Sequence, residues 1–259
     1  MSLTDAPSLE PATATAGRAE CREPDTTCVA RRGRCVVTLP LQYAGPRRVS
    51  LAWECLGADD APVLVVAGGI SAGRHVAANE ADATPGWWEA QVDALDPTRH
   101  RVLAIDWLGS DGDLDVPIDT ADQADAIASV LDHLGIARAQ AFIGASYGAM
   151  VGLQFAARHP HRIGALLAIS GAHRPHPFAS ALRALQRRIV RAGQGWPSAA
   201  GAGSAGAAAG AGAAAAVSLA RQLALLSYRT PEEFAERFAT PASVRDGRAV
   251  VAADAYLQA

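Results

Sequence analysis

Phe142-Ile143-Gly144-Ala145-Ser146-Tyr147-Gly148-Ala149-Met150 is the stretch on which the reading of this chain turns. A short apolar run, Ala141 to Ile143, enters a Gly-x-Ser-x-Gly turn, and helical spacing resumes from Tyr147 through Arg158. Strand before and helix after are the context of a nucleophile elbow, a sharp turn that presents a serine hydroxyl at its tip. Such a serine sits in a strained backbone conformation, so Gly144 and Gly148 are expected where a β-carbon would collide with the neighbouring strand and helix. The same turn sets Ser146 over a helix start. The Tyr147 amide and the positive end of the helix dipole are there to stabilise an oxyanion.

Upstream, Pro62 to Ala67 is a continuous apolar run, as expected of a strand buried on both faces of a parallel sheet. It ends in Gly68-Gly69-Ile70-Ser71, where a second oxyanion donor belongs in such folds, and the Ile70 amide is the expected one. A plain tight turn is the alternative. Cys35 to Leu39 and Val49 to Cys55 read as an antiparallel pair around Gly45-Pro46, and Arg101 to Asp106 as another buried strand. Trp87 to Leu95 has helical character, and Asp106-Trp107-Leu108-Gly109 opens an acidic loop running to Asp119. Thr120 and Gln123 form the expected capping box of the next helix. Its apolar stripe is Ile127, Val130, Leu131 and Leu134, its stop is Gly135, and His133 complements the dipole in the last turn.

Downstream of the elbow helix, Ile163 to Ile169 reads as a further buried strand ending in Ser170-Gly171-Ala172-His173-Arg174. Alternating strands and helices with short connections predict an α/β, doubly wound, mostly parallel sheet, with ligands beyond the carboxyl ends of the strands. Ser71, Ser146 and His173 all fall at such ends. From residue 178 the rhythm changes to helices at Ala181 to Arg191, Val217 to Tyr228 and Pro231 to Phe238, a helical cap. The expected organisation is a disordered tail over 1–33, a core over 34–177, and a cap over 178–240. The cap holds a flexible Ala/Gly-rich linker over 198–216, and the start of a C-terminal core segment follows over 241–259.

The length of 259 residues suits one large α/β domain, and a net charge of −3 gives no footprint for nucleic acid or an anionic membrane. Small molecules are the expected partners. The four cysteines, Cys21, Cys28, Cys35 and Cys55, have no Cys-x-x-Cys spacing and no histidine in zinc-site register, so reduced thiols and no metal site are expected. Met1 to Glu20 lacks the pattern of a signal peptide, no apolar run approaches a membrane span, and the cytoplasm is the expected compartment.

A serine hydroxyl needs a histidine to take its proton and a carboxylate to orient that histidine, and in this fold the chain order is Ser, Asp or Glu, His. The seven histidines are His75, His100, His133, His159, His161, His173 and His176, and none lies farther along. After Phe238 only Arg248 to Ala252 reads as a weak strand. The chain is read as an incomplete copy of a longer enzyme, the alternative being a full-length protein that lost its base. His173 is a replacement base or a lining residue.

On Leu51-Ala52-Trp53-Glu54, Gly68-Gly69-Ile70-Ser71, Pro85-Gly86-Trp87-Trp88, the elbow, and Leu219-Ala220-Arg221 through Ser227-Tyr228-Arg229, the chain resembles the α/β-hydrolase-fold homoserine O-acyltransferases of methionine biosynthesis. The resemblance spans about residues 50 to 238. It implies that Ser146 takes an acyl group from acetyl-CoA or succinyl-CoA and passes it to L-homoserine, with the Ile70 and Tyr147 amides stabilising both tetrahedral intermediates. It also implies that Arg221 and Tyr228 line the tunnel to the nucleophile, Arg221 holding the substrate carboxylate, and that the protein is a homodimer through its cap helices. The family's catalytic Asp and His have no counterpart here. A longer acid donor calls for an extra cation, for which Arg74, Arg174 and Arg229 are available, surface roles being the alternative. An esterase, or a noncatalytic relative that only binds ligand, are the rival readings.

Overall fold

The computed structural model describes residues 29–193 and 205–258, which fall into two compact units divided between His173 and Arg174. The first unit opens with β1 (Ala30–Leu41) and β2 (Gly45–Leu56), antiparallel along their whole length and joined where Gly45 takes a φ of 67°. Residues 30–33 therefore belong to a strand, which corrects the end of the expected tail; residues 1–28 lie outside the described residues. The strand extends this far because Arg32 pairs with buried Glu54 and the backbone of Gly33 lies on the Trp53 ring, where a β-carbon would overlap it.

Then come β3 (Val63–Ala67), the single turn α1 (Val92–Leu95), β4 (Arg101–Ile105), α2 (Thr120–His133), β5 (Ala139–Ala145), α3 (Tyr147–Arg158) and β6 (Ile163–Ile169). The sheet order is β1-β2-β4-β3-β5-β6, with β4, β3, β5 and β6 parallel and β2 antiparallel to β4. Every residue of β3 and β4 is buried, as their unbroken apolar runs require. Alternate residues serve opposite faces: Val65, Leu103 and Phe142 join Ile127, Leu131 and Phe155 of the helices, while Leu64, Val66 and Val102 meet Val76 and Leu95.

Two expectations fail here. The cap of α2 is Asp119, whose carboxylate accepts from Ala121 N at 2.9 Å while the Asp122 carboxylate accepts from Asp119 N at 2.8 Å. Gln123 is instead buried, its side-chain amide meeting the backbone of Leu108. β6 is not a buried strand but the sheet edge, and most of its residues are exposed, because β5 alone pairs with it among the described residues.

The second unit contains α4 (Pro177–Gly193), α5 (Ala205–Leu226), α6 (Pro231–Phe238), the hairpin β7 (Ser243–Arg245) and β8 (Arg248–Val250), and α7 (Ala253–Gln258). Residues 205–216 are helical, which corrects the linker expected over 198–216; residues 198–204 lie outside the described residues. Alanine has the strongest intrinsic helix preference, and Ala216, Ala220 and Ala224, one turn apart, are buried. Their small size admits α4 closely: a β-carbon on Gly193 would overlap that of Ala216, and Gln186 Nε2 donates to Ala220 O at 2.7 Å. Residues 241–259 were expected to begin a core segment. Among the described residues, β7 and β8 pair only with each other, so they add no strand to the main sheet.

Candidate active site

Ser146 stands between β5 and α3 with φ 55° and ψ −114°, a region that L-residues rarely occupy. The surrounding backbone holds it there: Ser146 N donates to Ile169 O of β6 at 2.9 Å, and Gly148 N donates to Gly68 O at 2.7 Å. A β-carbon on Gly144 would overlap the Gly148 backbone, and one on Gly148 would overlap Ala67 O. The glycines thus stand where the elbow motif requires them. Ser146 is exposed, and it is the N-cap of α3 without a side-chain cap bond.

Close by runs the segment 68–74 after β3, fastened at three carbonyls. Gly68 O takes the elbow amide, Gly69 O accepts from Trp107 Nε1 and from Ala72 N, both at 2.9 Å, and Gly73 O accepts from Trp87 Nε1 at 2.9 Å. The Asp106 carboxylate accepts from Arg74 N at 2.8 Å and pairs with the Arg74 guanidinium. The Ile70 amide donates to no acceptor among the described residues. Tyr147, first residue of α3, has an amide without an intrahelical acceptor. Both expected oxyanion donors are therefore available. The Tyr147 phenol is pushed up by burial, against an opposing hydrogen bond from Gln123, and stays neutral. Sequence reasoning missed Trp107, Trp87, Asp106 and Gln123 as supports. Trp107 and Asp106 follow a strand, Trp87 follows a glycine and Gln123 lies within a helix, so none of them is legible before its backbone partner is known.

His75, His100 and His159 of the first unit are engaged elsewhere. His75 Nε2 donates to Thr84 O at 2.7 Å, which leaves Nδ1 between Arg32 Nη2 at 3.1 Å and Glu54 Oε1 at 3.2 Å. Glu54, buried, also accepts from Asn79 Nδ2 at 3.0 Å, so this cluster fastens the 75–84 segment to β2. His159 bonds Asp125 at 2.8 Å and His100 bonds Leu95 O at 3.0 Å. His173 is exposed, and among the described residues no histidine or carboxylate hydrogen-bonds the Ser146 hydroxyl. No group of His, Cys, Asp or Glu there could hold a metal ion. Burial pushes the Cys35 and Cys55 thiols up, Arg101 partly opposing this at Cys55, so both stay protonated; Cys21 and Cys28 lie outside the described residues.

In the second unit Arg221 lies on α5, exposed and without an ion pair among the described residues. Tyr228, 67% exposed, borders a groove of about 680 Å³ lined by Phe178, Leu182, Leu226 and Phe234. Arg229 pairs with Glu233 and stacks over Tyr256, 5.0 Å from its ring centre. Arg74 and Arg229 thus both have carboxylate partners. No helix among the described residues is long and apolar enough to cross a membrane.

Residues 62–248 match the family model described as alpha/beta hydrolase fold. The chain is 55% identical over 231 residues to the homoserine O-succinyltransferase of Xanthomonas campestris pv. campestris, covering 88% of this chain and 59% of that protein. It is 32% identical over 206 residues to the serine O-succinyltransferase of Xanthomonas axonopodis pv. citri, covering 72% of this chain and 50% of that protein. The chain thus spans between half and three fifths of the length of these relatives. In three dimensions it resembles homoserine O-acetyltransferase from Staphylococcus aureus with a TM-score of 0.66 at 19% identity, over 89% of this chain and 65% of that one, a likeness of fold.

Proposed function

Because the chain belongs to the alpha/beta hydrolase fold family, we propose that it acts as an O-acyltransferase, carrying a succinyl group from succinyl-CoA to the side-chain hydroxyl of L-homoserine through an acyl-Ser146 intermediate. Ser146, strained and exposed, next to the unengaged Tyr147 amide and on an elbow bonded to the loop that carries the unengaged Ile70 amide, is the observation that carries this reading. The Ser146 hydroxyl attacks the thioester carbonyl, its proton passes to a general base that the described residues do not place at the hydroxyl, and the carbonyl oxygen gains charge between the two amides. Collapse expels the CoA thiolate. The homoserine hydroxyl then repeats the attack on the acyl-serine, and Ser146 leaves. Arg221 takes the carboxylate of the amino acid, for which a planar guanidinium fork suits, and Tyr228 lines its path. The succinyl group and the homoserine acceptor follow the relative at 55% identity. Placement in methionine biosynthesis, a cytoplasmic site and pairing through the helical unit belong to the same proposal.

Exposure of Ser146 favours one second reading, hydrolysis, since water reaching the acyl-serine would release free succinate. Intact-mass measurement after mixing with succinyl-CoA or acetyl-CoA tests both. A succinyl increment that is absent in Ser146→Ala and discharged by L-homoserine into O-succinylhomoserine is expected. Discharge into free succinate at the same rate with or without homoserine identifies the esterase, discharge by L-serine alone reassigns the acceptor, and no increment from either donor overturns the proposal.

A further inference from the structure

The amide of Ile70 belongs to the peptide that carries the Gly69 carbonyl. A trans peptide is planar, so its C=O and N–H point in opposite directions, and fixing one aims the other. Gly69 itself supplies no restraint: a β-carbon there would meet nothing within 4 Å, and a glycine explores backbone conformations freely. Its carbonyl is held by two donors, Ala72 N within the loop and Trp107 Nε1–H from outside it, each at 2.9 Å. The ring of the same Trp107 lies edge-on against Tyr147, centroids 5.0 Å apart and planes at 82°. A single side chain therefore touches both units that carry the oxyanion donors.

Trp107 is itself held. It is 5% exposed, and the neighbouring Leu108 is gripped by the Gln123 side-chain amide, Leu108 N donating to Gln123 Oε1 at 3.0 Å. Asp106 N donates to Ala52 O at 3.0 Å on its other side, and Ser110 N to Trp107 O at 3.0 Å. We propose that Trp107 is a positioning residue of the oxyanion hole, aiming the Ile70 amide through the Gly69 carbonyl and bracing Tyr147 with its ring. Donation to the carbonyl also polarises the peptide and makes its N–H the stronger donor.

The inference rests on the reading of Ile70 and Ser146 above, so its test has an arm that needs no turnover. Trp107→Phe keeps an aromatic ring beside Tyr147 and deletes the indole N–H. Trp53→Phe is the control: Trp53 is equally buried, but its Nε1 has no hydrogen-bond partner among the described residues, so no bond is lost with the volume. In ¹H–¹⁵N spectra of labelled protein, the Ile70 amide should shift and exchange faster with solvent in Trp107→Phe and stay in place in Trp53→Phe. In the succinyl-CoA assay, Trp107→Phe should lower kcat roughly tenfold with KM within about twofold, a fraction of what loss of an oxyanion donor costs. An Ile70 amide unmoved by Trp107→Phe, or equal losses of kcat in both variants, overturns the proposal. A wild-type protein that never acylates defeats the catalytic reading of Ser146, and the amide measurement still decides the role of Trp107.

Discussion

β5 and β6 lie side by side, parallel and seven residues long, and their compositions are close: Ala139-Gln140-Ala141-Phe142-Ile143-Gly144-Ala145 beside Ile163-Gly164-Ala165-Leu166-Leu167-Ala168-Ile169. Their fates differ. Phe142 is fully buried against Phe155, whereas Leu167, register partner of Ile143, is 53% exposed. Ile143 packs against the cluster around Leu64 and Val66 on the far face of the sheet, and Leu167 finds no such cover among the described residues. An apolar strand sequence states what the strand can bury; the sheet order decides what it does bury. Yet the exposed strand still serves the site, since the carbonyl of Ile169 holds the Ser146 amide.

The contrast breaks if the two strands answer alike to truncation. Phe142→Ala should cost about 4 kcal/mol, the transfer and cavity terms of a fully buried aromatic, while Leu167→Ala should change stability by less than about 0.5 kcal/mol. Chemical denaturation measures both, and comparable losses would mean that the outer face of β6 is covered in solution. Within the site, Gly148→Ala should cost about 3 kcal/mol because the methyl would overlap the Ala67 carbonyl, and Gly69→Ala, with open space around its Cα, much less. Thermal melts of the two variants sharpen the distinction between a glycine that is filled around and one that is bare.

A pH-dependent effect concerns the covered side. Burial raises the Asp125 carboxyl, but hydrogen bonds from Arg158 and His159 at the end of α3 outweigh it, and the folded value lies below the ordinary 3.8. A depressed folded value means that this stabilisation is complete above the ordinary value and drains away as pH falls through the lower one. Asp125→Asn should therefore cost about 1 kcal/mol near neutral pH, Arg158 being partly exposed, and the gap to wild type should close in acid. Melts from neutral pH down to below the aspartate range check the sign.

The elbow, the buried strands β3 and β4 and the β1–β2 pair were legible because their signals are local: a motif in context, an unbroken apolar run, a turn between β-rich segments. Edge exposure of β6 was not, since strand order depends on partners remote in sequence. The helix over 205–216 was missed for a related reason. Alanine and glycine alone suggested a chain with nothing to bury, but small residues at helical spacing against Gly193 are a means of close approach. Asp119 displaced Thr120 as cap because an aspartate one residue earlier could bond the same free amides. Gln123 has the spacing of a capping box, but its amide is engaged at Leu108. The backbone donors proposed at Ile70 and Tyr147 come from a motif, but the tryptophans that bond the loop carbonyls could not be found that way, because an indole shows nothing of the carbonyl it faces.

Both proposed oxyanion donors are main-chain groups, and that alters how such a site can be inherited and lost. The Ile70 side chain points into solvent, 68% exposed, so the letter at position 70 is free to drift among residues that keep an N–H. Side-chain scanning would pass over the hole altogether. Its genetic footprint lies one shell away, in glycines with no room to grow and in an indole that has no substitute of equal reach.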